Sequence, residues 1–232
     1  MTGPVIVDHI VWDWNGTLFG DNRALIDSTI DAFDAVGLPP VTRAEYQRHF
    51  TQPIPVFYDR LAGRTLTATE QSMLDRHFQE SYARRRGSIE LTHDAADALE
   101  SWKQSGGGQS LLSMHPHERL VPLVRKMGIF DYFAEVDGLV GTQAGRKAPH
   151  LDRHLAKLGV SPDRVLMIGD SADDAVAAEA CGVACMLYHP GEDALHELDH
   201  LRDMSVPVAD SLLGAVADLL AVRSADSDCF VR

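Results

Sequence analysis

Residues 20–102 contain no lysine, cysteine occurs only three times in 232 residues, and basic side chains are outnumbered 21 to 34 by acidic ones. Each shortage excludes something. Without lysine, the 20–102 stretch has no amine with which to form a Schiff base. Cys181, Cys185 and Cys229 match no common zinc or disulfide spacing, which points to a reducing, cytoplasmic setting. A formal net charge of −13 argues against nucleic acid or anionic membranes as general partners. No apolar run reaches the roughly 18 residues of a membrane span, and the first residues, Met1-Thr2-Gly3-Pro4-Val5, carry no basic leader. Internal repeats are absent. The hydrophobic content of 45% is enough for one sizeable core, or for a core with a smaller appended domain.

Two patterns follow one another along the chain. Val5 to Trp12 reads as a buried strand ending at Asp13, with Gly16 as a turn signal. Leu25, Ile26, Thr29, Ile30, Phe33 and Val36 then form one stripe of a helix stopped by Gly37. Thr42 with Glu45, and Thr67 with Glu70, have the spacing of capping boxes. Thr51-Gln52-Pro53-Ile54-Pro55 cannot be helix interior. Residues 20–90 therefore read as a helical block placed after the first strand.

From about residue 91, strands alternate with helices: strands at Gln109–Ser113, Val136–Val140, Arg164–Ile168, Ala184–Leu187 and Val206–Val208. Helices fall at Ala95–Lys103, around Leu120–Met127, and at Pro149–Leu158, Ala172–Ala180, near Leu195 and Leu213–Leu220. Pro122 fits its helix only if that helix starts late. A polar tail, expected to be mobile, begins at Ser224. The alternation predicts an α/β fold with a Rossmann-like parallel sheet, and ligands at the carboxyl ends of its strands. Asp13, Ser113 and Asp170 all fall at such ends. The expected organisation is a core of residues 1–19 and 91–232 with a helical cap of residues 20–90.

Four elements occur in order: Asp13-Trp14-Asn15-Gly16-Thr17; Leu111-Leu112-Ser113; Lys147; and Gly169-Asp170-Ser171-Ala172-Asp173-Asp174. Each alone is commonplace. Together they resemble the four motifs of the haloacid dehalogenase-like hydrolase superfamily over residues 5–190. The likeness is greatest to its phosphoglycolate-phosphatase-like group, with a cap between the first two motifs.

That resemblance implies roles. Asp13 is the expected nucleophile towards phosphorus. Mg²⁺ is the expected cofactor, held by Asp13, the backbone carbonyl of Asn15 and Asp170, with Asp174 as a ligand or as the holder of a ligand water. Asp173 is a weaker candidate. Ser113 is expected to bond a phosphoryl oxygen, and Lys147 to neutralise phosphate charge. Backbone N–H groups around Gly16 and Met114 are expected to complete the phosphate cradle.

Asn15 departs from the family pattern, which places an acidic aspartate there. An amide cannot protonate a leaving group, and such help contributes about 10²- to 10⁴-fold in rate. Activated phosphates need it least, and His115 or His49 could replace it. The same departure leaves open a non-catalytic module that only binds a phosphorylated ligand. Phosphonoacetaldehyde hydrolases share the missing aspartate but need a cap lysine, which residues 20–102 lack. The Gly169-Asp170 pair argues against a haloalkanoate dehalogenase, and Asn15 against a sugar phosphomutase.

Specificity is expected from the cap loop His49–Pro55, with Gln52 and His49 reaching the substrate. Arg84-Arg85-Arg86 reads as a helix end whose charge suits the dipole. Trp12 and Trp14 are expected on opposite faces of the first strand, one in the core and one under the cap. The expected partner is a small phosphorylated metabolite, bound by a monomer or homodimer, with neither nucleic acid nor membrane involved.

Overall fold

The computed structural model describes residues 7–141 and 145–229, with side chains to Arg223. Val5 and Ile6, expected to open the first strand, lie outside the described residues. The strand β1, His9–Trp12, is apolar on both faces: Ile10 and Trp12 join one core cluster and Val11 the other. That is the composition of a strand covered on both sides.

Four helices follow: α1 (Asn22–Val36), α2 (Arg43–His49), α3 (Ile54–Ala62) and α4 (Ala68–Arg85). Both predicted capping boxes form, at Thr42/Glu45 and Thr67/Glu70. The helix α3 is new relative to the sequence reading. Pro53 is its N-cap and Pro55 lies in its first turn, where proline's missing N–H costs nothing. These helices bury a second cluster, including Ile26, Phe33, Tyr46, Phe57, Tyr58 and Leu74, which Leu195 joins from the later connection between Tyr188 and Leu198. The chain leaves and re-enters the sheet region side by side: Gly20 N–H donates to Glu90 O at 3.0 Å and Thr92 N–H to Leu18 O at 3.0 Å.

The remaining elements are α5 (Ala95–Gln104), β2 (Gly108–Pro116), α6 (His117–Lys126), β3 (Val136–Leu139), α7 (Ala148–Leu158), β4 (Val165–Gly169), α8 (Ala172–Cys181), β5 (Ala184–Tyr188), α9 (Leu198–Arg202), β6 (Val208–Ala209) and α10 (Leu212–Cys229). All strand pairs are parallel, in the order β3-β2-β1-β4-β5-β6. The sheet confirms the α/β, Rossmann-like expectation.

Three local expectations change. Pro122 sits inside α6, which starts early, directly after β2. The helix expected near Leu195 starts at Leu198, because Gly191–Asp193 form a 3-10 turn ahead of it. The last helix continues through Ser224 to Cys229, where the sequence reads as a polar tail. Among the described residues, no helix is long and apolar enough to cross a membrane.

Candidate active site

In strand order, β1 lies between β2 and β4, although β2 and β4 are far apart in sequence. The chain's winding reverses there, which opens a crevice at the strand ends. Trp12 pairs with Leu111 on one side and Ile168 on the other, so Asp13, Ser113 and Asp170 emerge at nearly one level. Asp13 is anchored by its N–H to Ile168 O at 2.9 Å. Burial follows from this position: Asp13, Ser113, Lys147, Asp170 and Asp174 are all buried.

Lys147 enters just before α7. Its ammonium bonds both Asp13 Oδ1 and Asp174 Oδ1, and its backbone N–H donates to Asp173 Oδ2 at 3.1 Å. Asp174 Oδ2 meanwhile accepts from Ser171 N–H and Oγ at the start of α8, at 3.0 and 2.7 Å. Both Asp174 oxygens are thus engaged, which makes it the anchor of Lys147. Asp173 holds the same lysine's backbone.

Burial pushes Asp13 up to about 7, against the pull of the Lys147 ammonium. Burial, then Asp13 and Asp174, also raise Asp170 well above the carboxylate range. Burial pulls Lys147 down, but Asp13 and Asp174 outweigh it and hold it protonated.

Carboxylate oxygens of Asp13, Asp170 and Asp174 lie within 4.8 Å of one another. Asn22 donates to Asp170 Oδ2 at 3.0 Å, while its own buried Oδ1 has no protein partner. Two of these carboxylates, Asp13 and Asp174, share the one ammonium, and Asp170 lies beside them next to an orphaned oxygen acceptor. This hard-oxygen set with surplus negative charge fits a divalent cation of the Mg²⁺ type.

Gly16 takes φ +75°, and a Cβ there would lie 2.1 Å from Asp170 Oδ2. The residue must be glycine for Asp170 to approach. Its N–H, however, is spent on Asp21 Oδ1 at 2.8 Å and Phe19 O at 2.9 Å. Gly16's own N–H is thus engaged within the protein, which corrects its expected part in the phosphate cradle.

Asn15 donates its side-chain amide to Asp21 Oδ2 at 2.6 Å, and Tyr82 O–H from α4 donates to the same oxygen at 2.6 Å. Burial raises Asp21 to about 6, against the pull of Tyr82, Asn15 and Gly16. Asp21 and Asn22 escaped the sequence reading because Asp-Asn before a helix looks like a cap. Yet Asp21, the N-cap of α1, makes no side-chain cap bond.

These groups meet in a cavity of about 390 Å³, lined among others by Asp13, Asn15, Gln52, Ser113, Met114 and Lys147. His49 is not among its lining residues. Tyr46 and Phe50, stacked at 5.4 Å, both line the cavity, and half-buried His49 at the end of α2 does not follow them. His115 lines the cavity with a buried, unpartnered Nε2. Burial, then Arg119 and Arg86, hold its imidazole down to about 4, so it is neutral near pH 7. Trp12 and Trp14 correct another expectation: both are fully buried in the same core cluster. Trp14 lies in the turn beyond β1 and folds back into the core by stacking on Phe19 at 4.9 Å.

The family profile described as haloacid dehalogenase-like hydrolase matches residues 7–182. The chain belongs to this family of hydrolases. It is 27% identical over 219 residues to phosphoglycolate phosphatase 1 of Pseudomonas aeruginosa, spanning 87% of this chain and 79% of that protein. It is 26% identical over 225 residues to phosphoglycolate phosphatase of Vibrio vulnificus strain CMCP6, spanning 88% of this chain and 95% of the relative. A haloacid dehalogenase-like family protein from Streptococcus pneumoniae has the same fold, with TM-score 0.76 at 17% identity, covering 91% of this chain and 97% of that one.

Proposed function

We propose that this hydrolase is a Mg²⁺-dependent phosphatase of a small phosphorylated metabolite, working through a phosphoryl group carried on Asp13. The observation that carries the reading is the convergence of Asp13, Ser113, Lys147 and Asp170 on one cavity at the sheet's switch point. Its phosphoglycolate phosphatase relatives support the same reaction class.

In the first step an Asp13 carboxylate oxygen attacks phosphorus and the bond to the leaving oxygen breaks. Ser113 donates to a phosphoryl oxygen, and Lys147 offsets the charge there. Asp13, Asp170 and the Asn15 carbonyl would hold Mg²⁺, which when bound supplies further neutralisation of phosphoryl charge. In the second step water attacks phosphorus, the bond to Asp13 breaks, and the carboxylate is restored. Asn15 gives the leaving oxygen no proton, and neutral His115 is no acid near pH 7. The preferred substrates are therefore those whose leaving group departs unprotonated, such as acyl phosphates.

The test is phosphate release from acetyl phosphate and from phosphoglycolate, with and without Mg²⁺. Acetyl phosphate should be the better substrate, and Asp13→Asn should abolish its turnover. A wild-type protein silent on both compounds would overturn the reading. Asn15 itself favours one second reading, a module that binds a phosphorylated ligand without cleaving it. Measurable binding with no turnover would select it.

A further inference from the structure

A second, wider cavity of about 810 Å³ opens beside the Asp13 site. Gln79, Tyr82 and Ala83 of α4, with Arg86 just beyond, form one wall. Arg119, Pro122, Leu123 and Lys126 of α6 form the other. Gln79, Tyr82 and Arg119 line both cavities, so the two spaces adjoin.

The charge of this second space is unlike that of the chain as a whole. In a protein of net charge −13 it is lined by three cations and no carboxylate. Arg84 and Arg85, next in sequence, both reach Asp31. Among the described residues, Arg86, Arg119 and Lys126 have no ion-pair partner within 4.0 Å. Arg119 and Lys126 are seven residues apart on one helix, two turns along the same face. Arg86 comes from the other wall. All three residues are exposed, and with no carboxylate in the lining they leave this space positive and open to an anion from solvent. Guanidinium and ammonium groups presented from two walls suit a doubly charged phosphate better than a singly charged carboxylate.

We propose that the substrate carries a second phosphate group at the end remote from Asp13, seated among Arg86, Arg119 and Lys126. This rests on the phosphatase reading and goes beyond it: the substrate is a bisphosphate whose body spans both cavities, a longer molecule than a two-carbon phosphoester.

Binding tests the inference without relying on turnover. Calorimetry on the wild-type protein in Mg²⁺ would compare alkane bisphosphonates of two to eight carbons with monophosphonates and ω-carboxyalkyl phosphonates of equal length. The best bisphosphonate should bind about tenfold tighter than its monophosphonate. In Arg86→Gln/Lys126→Gln protein that advantage should shrink to about twofold or less. No advantage at any length, an equal advantage for the carboxylates, or an advantage that survives the double substitution would each overturn it. Failure to turn over both acetyl phosphate and phosphoglycolate is a separate result that removes the phosphatase reading instead.

Discussion

Two carboxylates eight residues apart, Asp13 and Asp21, are both buried, and the fold satisfies them in opposite ways. Asp13 is met by an ion, the Lys147 ammonium, which Asp174 shares. Asp21 is met only by neutral donors: Gly16 N–H, the Asn15 amide and the Tyr82 hydroxyl. The difference sorts their tasks. On the proposed mechanism, the carboxylate that attacks phosphorus is kept beside a fixed positive charge. One that only positions its neighbours is kept in a net of dipoles, which costs less desolvation than a second buried ion pair. Asn15 follows from this division. At its position an aspartate would face Asp21 with nothing to offer, whereas an amide donates to it.

The largest break in the contrast comes from removing the ion. Lys147→Met should lower acetyl phosphate turnover about 10³-fold. It should also lower unfolding stability by about 3 kcal/mol, because two buried carboxylates lose their counter-charge. Steady-state kinetics and urea melts check both. Next, Asn15→Asp sets carboxyl against carboxyl and should cost about 1–3 kcal/mol. Adding Asp21→Asn rebuilds an amide–carboxylate pair in reverse and should restore at least half of that, read as coupling in a double-mutant cycle. A cycle without coupling would mean the two side chains do not depend on each other.

Tyr82→Phe, which leaves Asp21 two of its three donors, should cost about 1 kcal/mol by the same melts. The smallest effect tests whether satisfaction by neutral partners also serves away from the cavity. His9 is buried with Nε2 2.8 Å from Ser110 Oγ, and burial, then His154, lowers it from 6.5 to about 4. As pH falls below 6.5 the unfolded chain takes up that proton before the folded one. The stabilisation is thus complete above 6.5 and is lost towards pH 4. His9→Gln should make the fall in Tm between pH 6.5 and 4.5 shallower, while an unchanged slope would show that His9 does not set it.

The legible part of the molecule is the part where chemistry follows an apolar run. Asp13 and Asp170 each directly follow a hydrophobic strand and Ser113 follows the apolar Leu111-Leu112 inside the longer β2, so strand order and register bring the three together. The boundaries of α1, α2 and α4 were legible from caps and a glycine stop. The helix α3 was hidden because Pro53 and Pro55 break helices everywhere except at their starts, where these two stand. Asp21 was hidden by its resemblance to a cap residue. The cationic cavity was beyond sequence reasoning for a different cause: Arg86 and Arg119 come from separate elements, and only packing decides that α4 and α6 face each other across it.

The Asp21 clamp also governs how this protein ages. Asn-Gly is the dipeptide most open to spontaneous deamidation, because an unhindered glycine nitrogen can attack the asparagine carbonyl carbon and close a succinimide ring. Here one carboxylate holds both participants, the Asn15 amide at 2.6 Å and the Gly16 N–H at 2.8 Å. Ring closure requires both bonds to break. The folded chain should therefore keep Asn15 intact through storage that converts the unfolded chain, and peptide mass spectra of the two after equal incubation would show it. Asp21 thus acts as a brake on a chemical clock that the sequence alone would leave running.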